Sequence, residues 1–273
     1  IDGTISSTIT IAVIDAISDD DFDNVADQTV TATTTDDDVA GFTIAESGGS
    51  TEVAESGTTD TFTIVLAAQP ASDVVLTITS SDTGEGTVTS TLTFTNANWD
   101  TPQTVTVTGV DDNIIDGTIS STMTITVDDA NSDNDFDNVA DQTVTTTTTD
   151  DDVAGFTVVE SDGSTSVDES GTTDTFTIVL DAQPASNVVI AMSSSDTGEA
   201  TLSGTLSFTN ANWDTPQTVT VTGVDENIID GNQTSTITIT IVDSISDNDF
   251  DAVADQTVTA TTTDDDVAGF TIA

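Results

Sequence analysis

Carboxylates are the one reactive side chain this sequence supplies in quantity, and they recur in three patterns at fixed places. In SDNDFDNVAD, Asp133, Asp135 and Asp137 stand at i, i+2 and i+4, a spacing that lets a looped backbone turn several carboxylates toward one ion. The pattern returns as Asp247, Asp249 and Asp251, and as Asp19, Asp21 and Asp23. A second group follows the strand-like QTVTVTG: Asp111, Asp112 and Asp116, repeated as Asp225, Glu226 and Asp230. The third is a run of three, Asp36, Asp37 and Asp38, then Asp150, Asp151 and Asp152, then Asp264, Asp265 and Asp266, each followed at once by VAGFT. An EF-hand loop would carry Gly at its sixth position, where this chain has Asn138, so the D-x-D-x-D element is read as a ligand cluster without an EF-hand.

The charge balance says what kind of ion these patterns would hold. The chain has 50 acidic side chains and no Lys, Arg or His, a formal net charge of −50. Adjacent carboxylates about 4 Å apart repel by about 1 kcal/mol in water and about 4 kcal/mol near a protein surface. Salt screens such pairs only beyond roughly 8 Å, so the counter-charge has to come from bound cations. Hard divalent cations prefer oxygen ligands, whereas zinc and copper favour the His and Cys that are absent here; calcium is the expected cofactor. A solvated acidic surface is the competing reading of any single cluster. Nucleic acid is excluded as a partner because phosphate recognition relies on Lys and Arg, and anionic membrane surfaces repel the chain for the same reason. No apolar run approaches the roughly 18 residues of a membrane span. The same poverty argues against an enzyme: without His, Cys, Lys, Arg or Tyr, neutral-pH base catalysis and the usual nucleophiles lose their residues. Only paired carboxylates remain, and theirs are loop positions suited to metal.

The elements that would position these acids repeat. Trp99 and Trp213 sit in the same string, NANWDTPQTVTVTGVD, 114 residues apart, and DDDVAGFT and NIIDG recur at the same interval. Residues 39–152 laid over 153–266 agree at about three quarters of positions. Two complete repeats, 39–152 and 153–266, are therefore expected, with 1–38 matching the last third of a repeat and 267–273 the start of another, a window onto a tandem array. Within a repeat the apolar period is 2. TDTFTIVL aligns Phe62, Ile64 and Leu66 on one face, and DVVLTITS aligns Val74, Leu76 and Ile78. Thr fills the intervening faces, Gly, Asn, Asp and Pro mark turns, and about seven antiparallel strands per repeat predict an all-β chain of tandem β-sandwiches. Each tryptophan is expected to cap one end of a sandwich core.

The order FTxxE, an ESG turn, TDTFTIVL, TLTFTxxNW, TPQTVTVTGVDDN and a closing DDD resembles Calx-beta domains and related calcium-binding repeats of large bacterial surface adhesins of the RTX type. The resemblance implies ligands from an early Glu, a late acidic loop and the domain's end, which here are Glu46 and Glu160, then Asp111, Asp112, Asp225 and Glu226, then Asp150–Asp152 and Asp264–Asp266. SDNDFDNVADQ stands where that pattern has a shorter hairpin, which keeps a cadherin-like or bacterial Ig-like version of the sandwich open. Calcium is expected at each seam between repeats, with Glu46, Glu55, Glu160 and Glu169 as partners to the Asp triplets. The expected role is structural, a calcium-rigidified stalk or filament segment at the cell surface, in contact with neighbouring repeats of its own chain. Lateral self-association between chains is the further expected contact. A binding module for glycan, ice or a partner protein is the alternative.

Overall fold

The computed structural model describes residues 1 and 3–271. A hairpin of β1 (Ile5–Ile11) and β2 (Gln28–Thr34) comes first. Then follow β3 (Phe42–Glu46), β4 (Thr51–Ala54), β5 (Thr59–Leu66), β6 (Val74–Ser80), β7 (Gly86–Val88), β8 (Thr91–Phe94), β9 (Gln103–Gly109), β10 (Ile119–Val127) and β11 (Gln142–Thr149). The same series recurs as β12 (Phe156–Glu160), β13 (Thr165–Asp168), β14 (Thr173–Leu180), β15 (Val188–Ser194), β16 (Ala200–Leu202), β17 (Leu206–Phe208), β18 (Gln217–Gly223), β19 (Gln233–Ile241) and β20 (Gln256–Thr263). Among the described residues the only helices are single 3-10 turns.

The chain forms two compact units, residues 1–111 with 118–149, and Asp112–Gly117 with residue 150 onward. In the first, a four-stranded sheet β3-β5-β9-β7 faces a five-stranded sheet β4-β11-β10-β6-β8. The second contains β12-β14-β18-β16 and β13-β20-β19-β15-β17. Both are β-sandwiches, as the alternation requires. In β14, Phe176, Ile178 and Leu180 are buried while Thr175, Thr177 and Val179 are not. In β19, Ser235, Ile237, Ile239 and Ile241 are buried, with threonines between. The two faces close on one core in which Phe176, Ile190, Phe208, Val219 and Ile239 pack together. Side chains of this kind each contribute about 1.5–3 kcal/mol on burial. Trp213 is half-buried against that core, and its carbonyl accepts the Leu180 N–H at 3.1 Å, so it caps the sandwich.

Each sandwich has nine strands, two more than the alternation resolves, because β4 and β7, like β13 and β16, are three or four residues long and too short to show a period. One pairing per sandwich is parallel, β4 on β11 and β13 on β20. It arises because the chain crosses from one sheet to the other through the turns Ser47–Gly49 and Ser161–Gly163, and so enters the second sheet at its edge.

Gly223 ends β18 against the carbonyl oxygen of Asp168, and a Cβ there would overlap that oxygen; Gly109 meets the carbonyl of Ala54 in the same way. Gly223→Ala is therefore expected to destabilise the second sandwich by about 1–3 kcal/mol, the cost of overpacking against rigid backbone. Urea unfolding checks this, with Gly204→Ala as the comparison, since nothing lies within 4 Å of a Cβ at Gly204. Equal midpoints for the two variants would contradict the close approach.

Candidate metal centre

Four loops of the second sandwich bring their acids together. Glu169 follows β13, Glu199 precedes β16, Glu226 and Asp230 follow β18, and Asp264 and Asp266 follow β20. Backbone bonds hold the carriers in place: Glu169 donates to the Thr263 carbonyl at 3.2 Å and Val224 to the Glu199 carbonyl at 2.9 Å. The Thr262 hydroxyl also donates to the Glu199 carbonyl, at 3.3 Å. In the last loop, Asp264 accepts the Gly231 N–H at 2.8 Å with one oxygen and the Asp266 N–H at 2.8 Å with the other. Gly231 takes φ +77°, a left-handed conformation that turns its N–H onto that carboxylate. Asp150 clamps Asp116 and Gly117 alike, at 3.0 and 2.9 Å.

One carboxylate oxygen from each of Glu169, Glu199, Glu226 and Asp230 lies within 4.8 Å of the other three, and Glu169 is shared with a second set formed with Asp264 and Asp266. Opposite oxygens around a calcium ion, at bonds of 2.3–2.6 Å, stand roughly 4.6–5.2 Å apart. Glu169 is fully buried and Glu199 is 6% exposed. Glu169 Oε1, Glu199 Oε2, Glu226 Oε1 and Asp266 Oδ2 are buried without a hydrogen-bond donor among the described residues. Burial pushes the Glu169 carboxyl above its ordinary range, and Asp264, Glu226 and Asp230 push it further; Glu199 and Glu226 are raised by burial first and then by their acidic neighbours. Buried carboxylates are ordinarily satisfied by Lys, Arg or backbone N–H groups. With no cationic side chain in the sequence, the donor set fits a hard divalent cation that supplies the missing positive charge.

Several other candidate acids are placed differently. Asp133 caps the 3-10 turn Asn134–Phe136, accepting the Asp135 N–H at 3.1 Å and the Ser72 N–H at 2.8 Å, and Phe136 is fully buried. Asp247 does the same before Asn248–Phe250, accepting from Asp249 and Ser186. Burial opposes ionisation of Asp133 and Asp247, but the backbone donors Ser72 and Asp135, and Ser186 and Asp249, outweigh it and hold both carboxyls below their ordinary range. Asp135, Asp137, Asp249 and Asp251 remain exposed. Asp19 likewise accepts the Asp21 N–H, with Asp21 and Asp23 exposed. The D-x-D-x-D element thus works as a helix cap, with a buried phenylalanine as anchor at Phe136 and Phe250. Glu46 and Glu160 accept the hydroxyls of Thr51 and Thr165, each at 2.8 Å, and belong to neither set. Asp36 accepts the Gly3 N–H at 2.8 Å; Asp37, Asp38, Asp111, Asp151, Asp225 and Asp265 are exposed, and local desolvation together with Asp168 and Asp225 raises the Asp265 carboxyl. In the first unit Glu55 is buried, as its counterpart Glu169 is. Glu199 and its counterpart Glu85, also buried, escape reading by acid runs because each is a single Glu three residues after a single Asp in SDTGE. Their one signal is recurrence at the 114-residue interval just ahead of a short strand.

No protein-family model and no curated protein matches the chain. Among solved structures, CBD12 from CALX1.2 aligns at 13% identity over 72% of this chain and 78% of that one, with a TM-score of 0.29. The apo-form Calx CBD1 domain aligns at 15% identity over 41% and 98%, with a TM-score of 0.30. Domains 4 and 5 of the S-layer protein SbsC align at 16% identity over 83% and 100%, with a TM-score of 0.34. At these scores the likenesses carry no argument about this chain.

Proposed function

We propose that the end of the second sandwich is a calcium site, and that the chain is a non-catalytic structural segment of an extracellular or cell-surface protein. The observation that carries this reading is the set of buried carboxylate oxygens without donors in a chain that has no Lys, Arg or His. Glu169, Glu199, Glu226 and Asp230 would hold one ion, and Glu169 with Asp264 and Asp266 a second. The ion supplies charge neutralisation and fixes the four loops; the residues do no bond-making chemistry. Asp264–Asp266 run directly into the VAGFT that opens a repeat, so an ion held there orders the connecting chain as well. Sites that work outside a cell operate at the weak end of calcium affinity, roughly 10⁻⁴–10⁻³ M, which suits a role in setting stiffness rather than in signalling. Near-identical repeats fit spacing duty, in which every unit does the same job.

Titration calorimetry on the chelator-treated chain tests the assignment. Calcium is expected to bind with proton release, and magnesium far more weakly, since it demands tighter octahedral geometry and keeps its water. Equal heats for the two ions, or none for calcium, would refute the site.

A further inference from the structure

We propose that Asn232 is an acceptor for an N-linked glycan, transferred by an oligosaccharyltransferase from a lipid pyrophosphate-linked oligosaccharide. Asn232-Gln233-Thr234 is the one Asn-x-Ser/Thr triplet in the sequence, and its middle residue is not proline. Asp230 stands two residues ahead of the asparagine. One class of these transferases takes only acceptors with an acid at that place, because a basic side chain of the enzyme pairs with the carboxylate. The equivalent residues one repeat earlier are Asp116, Thr118 and Ser120, so the frame recurs every 114 residues and only the asparagine is particular to this repeat. The proposal rests on the cell-surface part of the reading above, since such transferases act on exported chains, and not on the calcium part.

The fold presents this triplet. Asn232 closes the loop between β18 and β19, and it is exposed. Thr234 is the second residue of β19 and is exposed, whereas Ser235 beside it is fully buried, so the alternation of the strand turns the Thr234 hydroxyl to solvent. Anchors flank the asparagine: the Gly231 N–H donates to Asp264 at 2.8 Å, and the Gln233 side-chain amide donates to the Asp230 carbonyl at 3.3 Å. Gln233 and Thr234 pair with Thr262 and Thr261, the end pairs of the β19–β20 ladder, and strand ends open at the least cost in free energy. In the transfer, Asn232 Nδ2 forms a bond to the anomeric carbon of the first sugar as that carbon's bond to the pyrophosphate oxygen breaks. The amide gives up one proton and the polyprenyl pyrophosphate leaves, with no oxidant or reductant consumed. Asp230 also belongs to the acid set with Glu169, Glu199 and Glu226, so an ion and the transferase draw on the same carboxylate.

The test uses purified transferases of two classes, one that requires the preceding acid and one that does not, with a short synthetic lipid pyrophosphate-linked oligosaccharide. The acceptors are the full chain, in calcium and in chelator, and a synthetic peptide of residues 226–238. Intact mass should show the chain gaining one glycan, which fragmentation places on Asn232. Asn232→Gln and Thr234→Ala should each abolish the gain with both enzymes, and Asp230→Asn only with the acid-requiring one. Thr118→Asn should add a second glycan, because the acid and the hydroxyl residue of the triplet already stand there. A peptide that is not modified, a modified peptide beside a chain modified in neither condition, or an undiminished gain on Asn232→Gln would overturn the proposal. Transfer is expected to be slower in calcium than in chelator. Equal transfer in the two would still support the acceptor and would count against Asp230 as a calcium ligand, so the two readings fail separately.

Discussion

Calcium in hundredfold excess over its Kd is expected to raise the thermal midpoint of the second sandwich by roughly 10–20 °C, and Glu169→Gln to remove most of that rise. A ligand bound only by the folded state at that excess adds about 2.7 kcal/mol. A domain of about a hundred residues moves by about 4–8 °C per kcal/mol. The variant separates coordination from simple charge relief. Glu169 is the fully buried member of both acid sets, and an amide in its place keeps the shape while removing one negative charge and one ligand. In chelator Glu169→Gln should therefore melt higher than the parent, because a desolvated carboxylate facing Asp264, Glu226 and Asp230 has been neutralised. In calcium it should melt lower than the parent. This inversion is diagnostic. A variant that melts lower in both conditions would make Glu169 a packing residue, and one whose rise in calcium equals the parent's would remove it from the site. Glu160→Gln, at a residue held by the Thr165 hydroxyl outside both sets, should leave the rise intact.

The metal-free chain is expected to lose stability as pH rises above the ordinary carboxylate range, opposite to the usual acid lability of proteins. Glu169, Glu199, Glu226 and Asp265 all have carboxyls raised in the folded state. Between their ordinary and their raised values the folded state binds more protons than the unfolded one, so unfolding free energy falls with pH. Their contribution is fully present below the ordinary carboxylate range and is lost as pH climbs through the raised values. The opposing groups act lower down. Side-chain bonds from Ser47 and Ser161 hold Asp60 and Asp174 below their ordinary value of 3.8, and backbone donors do the same for Asp133 and Asp247. Their stabilisation is lost only as pH drops below about 4, which leaves a metal-free optimum in mild acid. With calcium the slope is expected to reverse, because an ion held by the ionised carboxylates would compete with protons. Guanidinium unfolding across pH, with and without calcium, reads both slopes. A metal-free stability that rises with pH above the ordinary carboxylate range would refute the buried-acid account.

Much of this molecule is legible in one dimension because its determinants are local. Strict alternation in TDTFTIVL and QTVTVTG makes strands whose buried faces are fixed by residue type, and repetition at 114 residues makes two sandwiches of one kind. The absence of any base is likewise a property of the string, and it leaves no Lys, Arg or His to pair with an acid that folding buries. Which acids those are is not local. Asp133 and Asp247 have the better ligand spacing, yet their oxygens accept backbone N–H groups because the turn that buries Phe136 or Phe250 needs a cap there. Glu199 carries no ligand spacing, yet it is buried in the cluster. Parallel pairing of β13 with β20 sets Asp168 opposite Thr263 and so places Glu169 beside Asp264 and Asp266, nearly a hundred residues away. Strand register across the two sheets decides that meeting, because loops leave a sandwich where their strands end; composition alone could say only that such a meeting would need a cation.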